Sequence, residues 1–241
     1  KPSEKSPEVG RLMAQAFHEA EFPAGVFNLV QGEREVGRRL VINERISGVL
    51  FTGSYEVGLK IKQDTLQQNW KLIALEMGGK NSAIILDDAN IEGAVYESLT
   101  GAYITAGQRC SSTSRILVHR AIYDSFVKLF HQKAKAFTIG HPFDNPFMGP
   151  LIDSASVEKY LKFLGIAHRE GCDILMRGKQ LELKHKGYYV TPSICLVREN
   201  TLSSVRKSVY QQTEIFGPNV AIYSFEDEQE AIELANATQY G

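Results

Sequence analysis

No stretch of this 241-residue sequence approaches the roughly 20 consecutive apolar residues that a membrane-spanning helix needs. The longest apolar runs, such as Ser82–Leu86, are far shorter. No excess of one charge exists either: 27 basic residues face 28 acidic ones, a formal net charge of -1. That balance gives no basis for a nucleic-acid or anionic-membrane partner. A basic-then-apolar leader is missing from the start, and the sequence reads as cytoplasmic. Cysteine is scarce, with only Cys110, Cys172 and Cys195. An odd number at wide spacings fits no disulfide framework, and no histidine lies at ligand spacing from any of the three, so no metal site is expected. A reducing compartment follows, in which one thiol is free to work. Internal repeats, low-complexity tracts and linkers are also missing.

What remains is ordinary globular material, 43% hydrophobic and 23% charged, enough to bury a real core. Helical and extended patterns alternate. Pro7 opens a helix whose apolar positions are Val9, Leu12, Met13, Ala16, Phe17 and Ala20. Val26–Val30 reads as a short strand, 33–43 as a helix, 48–52 as a strand running into a helix at Ser54, and 72–75 as a strand. A second series follows: strand 82–86, helix 90–106, strand 115–119, helix 123–137, the turn-rich segment 141–150 and helix 154–168. Segments 173–176 and 188–196 read as extended, 220–225 as a strand and 228–236 as a helix. Strands separated by helices of this length imply βαβ units and a parallel sheet, so the predicted class is α/β. The best boundary lies at Gly78-Gly79. Neither Lys1-Pro2-Ser3-Glu4 nor Ala237-Thr238-Gln239-Tyr240-Gly241 has the features of a natural terminus, so a fragment is expected.

Three places carry chemistry. Phe51-Thr52-Gly53-Ser54-Tyr55-Glu56-Val57-Gly58 sets a glycine at a strand end and a hydroxyl at a helix N-cap, where free backbone N–H groups and the helix dipole favour a phosphate. The alternative is a purely structural cap, because neither the three-glycine dinucleotide fingerprint nor a Walker ending is present. Cys110 stands in the small, polar stretch Ala106-Gly107-Gln108-Arg109-Cys110-Ser111-Ser112. Cationic or polar surroundings lower a thiol's pKa, and Arg109 is its neighbour, so Cys110 is a candidate nucleophile. Cys195, between Ile194 and Leu196, has the apolar setting of a structural cysteine. Glu76 leaves an apolar strand beside Gly78-Gly79, a position that suits a general base; the alternative is a surface ion pair with Lys80.

Lys1-Pro2-Ser3-Glu4, Phe51-Thr52-Gly53-Ser54, Leu75-Glu76-Met77-Gly78-Gly79-Lys80, Gly107-Gln108-Arg109-Cys110 and Glu214-Ile215-Phe216-Gly217-Pro218 occur in that order. Taken together they resemble the aldehyde dehydrogenase superfamily, end to end. Cys110 follows Glu76 by 34 positions, the family's base-to-nucleophile interval. The resemblance implies the aldehyde dehydrogenase fold, with both domains partial. Residues 1–79 would be the C-terminal part of a Rossmann-like NAD-binding domain, and residues 80–241 a truncated catalytic domain. It further implies Cys110 as nucleophile, Glu76 as the base that activates water, and NAD as cofactor. Lys1 and Glu4 would contact the adenosine ribose, Glu4 disfavouring a 2′-phosphate. Gly53, Ser54 and Gly58 would serve the pyrophosphate turn, and Val57 would lie near the adenine. Glu214 would bind the nicotinamide ribose and Phe216 would pack beside the nicotinamide. The family's oxyanion asparagine lies upstream of Lys1, so no residue here takes that role. A homodimer or homotetramer is implied for the full-length protein.

Segments 22–32, 74–79, 146–149 and 236–241 resemble succinylglutamate semialdehyde dehydrogenases of bacterial arginine breakdown. Lys80 departs from that subfamily's asparagine. Glutamate semialdehyde, of the proline pathway, is the alternative substrate, and a broad-specificity aldehyde dehydrogenase is another. Arg109 could pair with the carboxylate that both named aldehydes carry, or turn away into an ion pair or only tune the thiol. Two rival readings are a catalytically silent relative, against which intact Cys110, Glu76, Ser54 and Glu214 argue, and an acylating enzyme that uses coenzyme A. The presence of Glu76 favours water over coenzyme A.

Overall fold

The computed structural model describes residues 1–240, which fall into two compact units, Lys1–Met77 and one beginning at Gly78. The division falls just before the glycine pair, where the sequence reading placed it just after.

The first unit holds helix α1 (Pro7–Glu19), helix α2 (Arg34–Ile42), strand β1 (Gly48–Gly53), helix α3 (Tyr55–Asp64) and strand β2 (Leu72–Met77). Proline at the start of α1 uses a position that needs no N–H donor. Strands β1 and β2 pair in parallel, from Gly48 opposite Leu72 to Gly53 opposite Met77. Lys71 is buried and donates from Nζ to the carbonyls of Val41 (2.6 Å) and Asn43 (2.9 Å), satisfying orphan acceptors at the end of α2. Val26–Val30 is not a strand. Val26 N–H closes a turn on the Pro23 carbonyl, and Phe27 stacks on Phe17 of α1 with ring centroids 4.2 Å apart. A strand exists only with a ladder partner, and this segment spends its groups on turns and on the helix.

The second unit is built on a five-stranded sheet. In chain order its elements are β3 (Ser82–Ile85), α4 (Ile91–Tyr103), β4 (Arg115–His119), α5 (Tyr123–Lys135), α6 (Ser154–Arg169) and β5 (Asp173–Met176). A small pair, β6 (Gln180–Leu181) and β7 (Tyr189–Val190), precedes β8 (Ser193–Leu196). Helices α7 (Leu202–Lys207) and α8 (Val209–Gln212), strand β9 (Asn219–Phe225) and helix α9 (Glu228–Ala235) complete it. The sheet order is β3-β4-β9-β8-β5, parallel except for the antiparallel edge strand β5. Parallel strands buried on both faces read as continuous apolar runs. Ile116, Leu117 and Val118 of β4 and Val220, Ile222 and Tyr223 of β9 are all buried in this way. Phe126 and Phe130 of α5 and Leu99 of α4 pack into the same core.

The sequence reading carried the helix at 90–106 too far. It stops at Tyr103, because Ala106 and Gly107 take left-handed φ values of 54° and 66°. The extended run 188–196 breaks between β7 and β8 at Pro192, which has no N–H to give a ladder. Helices α7 and α8 and the antiparallel direction of β5 were not anticipated.

Candidate active site

Cys110 lies on the loop that follows α4. Ser112 N–H donates to the Arg109 carbonyl at 3.1 Å, closing a β-turn whose second residue is Cys110. The Ser112 hydroxyl also accepts from Arg109 N–H at 3.3 Å. The turn lifts the thiol into solvent, and Cys110 is the one exposed cysteine. Cys172 and Cys195 are buried. Burial pushes the Cys172 thiol up to about 12 and the Cys195 thiol upward as well, so neither forms a thiolate near neutral pH.

Two glycines let the loop sit where it does. A side chain at Gly107 would press into the Gly217 carbonyl, in addition to the cost of its left-handed backbone. A Cβ at Gly79 would lie 2.5 Å from the Cys110 carbonyl oxygen. Gln108 fastens the other side: its Oε1 accepts from Ile152 N–H (2.9 Å) and its Nε2 donates to the Pro150 carbonyl (3.3 Å).

The segment from Gly79 to Asn81 meets this loop. Gly79 N–H donates to Glu214 Oε1 at 3.1 Å, and Oε2 has no hydrogen bond among the described residues. That oxygen packs against Gly78, where an added Cβ would lie 2.0 Å from it. Asn81 Nδ2 donates to the carbonyls of Cys110 (2.6 Å) and Ser112 (3.0 Å). Phe216 is exposed and held at a left-handed φ of 59°. A cavity of about 20 Å³ in this unit is lined by Lys80, Arg109, Thr113, Glu214, Phe216 and Asn219. Arg109 is exposed and enters no ion pair among the described residues, so the alternative of a side chain tied up in one does not describe it.

Lys80 is not the surface partner considered for Glu76. It is 2% exposed, and its Nζ has no hydrogen bond among the described residues. Its ammonium lies over the face of Tyr210, 5.3 Å from the ring centroid. Burial, reinforced by the Arg115 guanidinium, lowers its pKa to about 7. Arg115 is itself buried and spends its guanidinium on the carbonyls of Lys80, Leu234 and Ala235.

In the first unit, Glu76 is exposed on β2, inside the strand rather than beyond it. Ser54 caps α3, its hydroxyl accepting from Val57 N–H at 3.4 Å. Gly53 ends β1, Val57 is exposed in the first turn of α3, and Gly58 is buried there against the Met77 side chain. The Gly53–Ser54 turn thus joins a strand end to a capped helix with exposed first-turn residues. Lys1 and Glu4 are both exposed, Nζ to Oε2 at 3.9 Å.

The sequence reading did not pick out Asn81 or Gln108 as supports of the nucleophile loop. The signal available was a polar residue placed just before a strand and beside a glycine pair. No group of three or more histidine, cysteine or acidic residues that could hold a metal occurs among the described residues, nor any helix long and apolar enough to cross a membrane.

Residues 1–241 match the family described as "Aldehyde dehydrogenase family". Betaine aldehyde dehydrogenase from Staphylococcus aureus, solved in complex with NAD+, is 36% identical with a TM-score of 0.90, covering 100% of this chain and 47% of that one. A lactaldehyde dehydrogenase is also 36% identical, with a TM-score of 0.90 and coverage of 100% and 49%. The gamma-glutamyl-gamma-aminobutyraldehyde dehydrogenase of Burkholderia cenocepacia is 34% identical, with a TM-score of 0.92 and coverage of 100% and 48%. The chain therefore spans about half the length of the solved structures it matches.

Proposed function

The chain belongs to the aldehyde dehydrogenase family, and from that premise we propose that it carries the nucleophile and base of an NAD-dependent oxidation of an aldehyde to a carboxylic acid. The observation that carries the reading is Cys110, the single exposed thiol of three, held at the tip of a tight turn.

The Cys110 thiolate attacks the aldehyde carbon, forming a C–S bond and turning the carbonyl oxygen into an oxyanion. The Cys110 backbone N–H donates to that oxyanion. NAD, held by the residues named below, would supply the acceptor for the hydride that must leave this carbon before Cys110 carries a thioester. Glu76 takes a proton from water, whose oxygen attacks the thioester carbon. The C–S bond breaks, releasing the acid and the thiolate. Glu214 and Phe216 serve the nicotinamide end of the cofactor. Lys1 and Glu4 serve the adenosine ribose; Gly53, Ser54, Val57 and Gly58 serve the pyrophosphate and adenine.

The substrate assigned is succinylglutamate semialdehyde, with glutamate semialdehyde as the alternative. Kinship of the segments at 22–32 and 146–149 supports the first, and an exposed Arg109 beside the nucleophile, in no ion pair among the described residues, supports an acidic aldehyde of either kind. A cytoplasmic homodimer or homotetramer is the setting proposed for the intact protein.

The test is NADH formation by the intact gene product and its Cys110→Ala variant on both semialdehydes and a neutral aldehyde. Turnover on succinylglutamate semialdehyde that disappears in the variant supports the whole reading. Activity confined to another aldehyde overturns the substrate, and turnover that survives Cys110→Ala overturns the chemistry. Arg109→Leu should raise KM for the acidic aldehyde about tenfold or more while leaving the neutral one nearly unchanged. Equal changes on both would remove Arg109 from the substrate site.

A further inference from the structure

The peptide between Cys110 and Ser111 is the central peptide of the turn closed by Ser112 N–H on the Arg109 carbonyl. In a β-turn this peptide can face either way. The two orientations distinguish type I from type II and differ in the backbone angles on either side of it, Cys110 included. The rotamers open to a nucleophile at the second position depend on its ψ, and so on which way the following carbonyl points.

In this protein that carbonyl is held from outside the turn. Asn81 Nδ2 reaches it at 2.6 Å and reaches the Ser112 carbonyl at 3.0 Å, so both N–H groups of one amide are spent on one loop. The other end of Asn81 is anchored as well. Its backbone carbonyl accepts from Ser114 N–H and Arg115 N–H, both at 3.1 Å, where β4 enters the sheet beside β3. Asn81 thus joins the rigid sheet to the exposed turn through one short side chain. The approach requires Gly79, because a Cβ there would lie 2.9 Å from the Asn81 side-chain atoms.

We propose that Asn81 is a positioning residue for the reaction: its amide locks the central peptide of the nucleophile turn and so sets where the Cys110 thiol points. The proposal rests on the reading of Cys110 as nucleophile. Asparagine is suited to the task because its amide offers two donors to two acceptors. Aspartate, of nearly the same size, offers none when ionised and would repel both carbonyls.

The experiment compares Asn81→Ala and Asn81→Asp with the unaltered intact gene product in two readouts. One is kcat and KM for the aldehyde and NAD. The other is the pH profile of Cys110 alkylation by iodoacetamide, read by peptide mass. Release of the turn should lower kcat by about 10- to 100-fold with KM for NAD within about twofold, because small displacements of a reacting atom cost rate rather than cofactor binding. It should also change the alkylation profile.

Folded variants with wild-type kcat and a superimposable alkylation profile would overturn the proposal. So would a fall in kcat with the alkylation profile unchanged, since the loss would then lie away from the thiol. Should Asn81→Ala fail to fold, Asn81→Ser, which keeps one donor, takes its place under the same criteria. Failure of the underlying reading is separately visible as turnover that survives Cys110→Ala. The alkylation profile alone would then decide whether Asn81 orients the thiol.

Discussion

The two compact units are made from the same alternation of strand and helix, yet they bury their residues very differently. In the first, only Gly58, Ile61, Thr65 and Lys71 are buried, and α1 and α2 contain no buried residue at all. Leu50 and Leu72 on its two strands are 80% and 64% exposed. In the second, β4 and β9 are covered on both faces and form the centre of one contiguous core. Local pattern specifies elements in both units, although only the second covers its central strands on both faces. The division extends to the candidate chemistry. Glu76 lies on the two-stranded sheet of the first unit, and the Ser54 cap follows its strand β1. Cys110 and Glu214 are tied by side-chain-to-backbone hydrogen bonds and close glycine contacts to the segment that leads into the packed five-stranded sheet.

Substitutions can break this contrast or sharpen it. The largest effect is expected at Gly107, where alanine meets both a left-handed backbone and the Gly217 carbonyl. Gly107→Ala should cost about 3 kcal/mol or more in denaturant unfolding of the second unit. A loss of only a few tenths would mean that the nucleophile loop is not anchored as described.

The next effect is at Lys80, whose buried ammonium has a pKa lowered to about 7. Between pH 7 and the unfolded value near 10.5, the unfolded chain holds a proton that the folded chain has given up. Stability from this group therefore rises with pH through that window and is lowest at pH 7 and below. Lys80→Met should stabilise the protein most at pH 6, with the advantage shrinking by roughly 2 kcal/mol between pH 7 and 9. A pH-independent difference would show that the amine is not titrating as a buried group.

The smallest effect is at Gly25 in the first unit. Its φ is also left-handed, at 89°, but no atom lies within 4 Å of an added Cβ. Gly25→Ala should cost only about 1 kcal/mol, the backbone cost without a packing cost. A loss as large as that at Gly107 would erase the distinction between the units.

How much of this was legible in the sequence depends on how far each feature reaches. Strands β1, β2, β3, β4 and β9 were found because an apolar run bounded by turn residues carries its own signal. Val26–Val30 carried the same signal without a partner to pair with, and folds as turns. Direction is invisible locally, so the antiparallel β5 could not be told from a parallel strand. Helices α7 and α8 are short, abut at Ser208 and lack a long periodic face. At the site, the polar setting of Cys110 was a local property and could be read directly. The Asn81 clamp joins residues 29 and 31 positions apart, and the burial of Lys80 depends on Tyr210 and Arg115, so neither could be read from neighbours in sequence.

The central claim, a covalent route through Cys110 with Glu76 as the hydrolytic base, is tested most directly by trapping the acyl group. The Glu76→Gln variant of the intact gene product would be incubated with aldehyde and NAD, quenched in acid, digested and analysed by peptide mass. The account predicts one acyl group on the peptide containing Cys110, formed together with a single equivalent of NADH and discharged slowly. Sustained turnover without an acyl adduct, or an adduct on any residue other than Cys110, would contradict it.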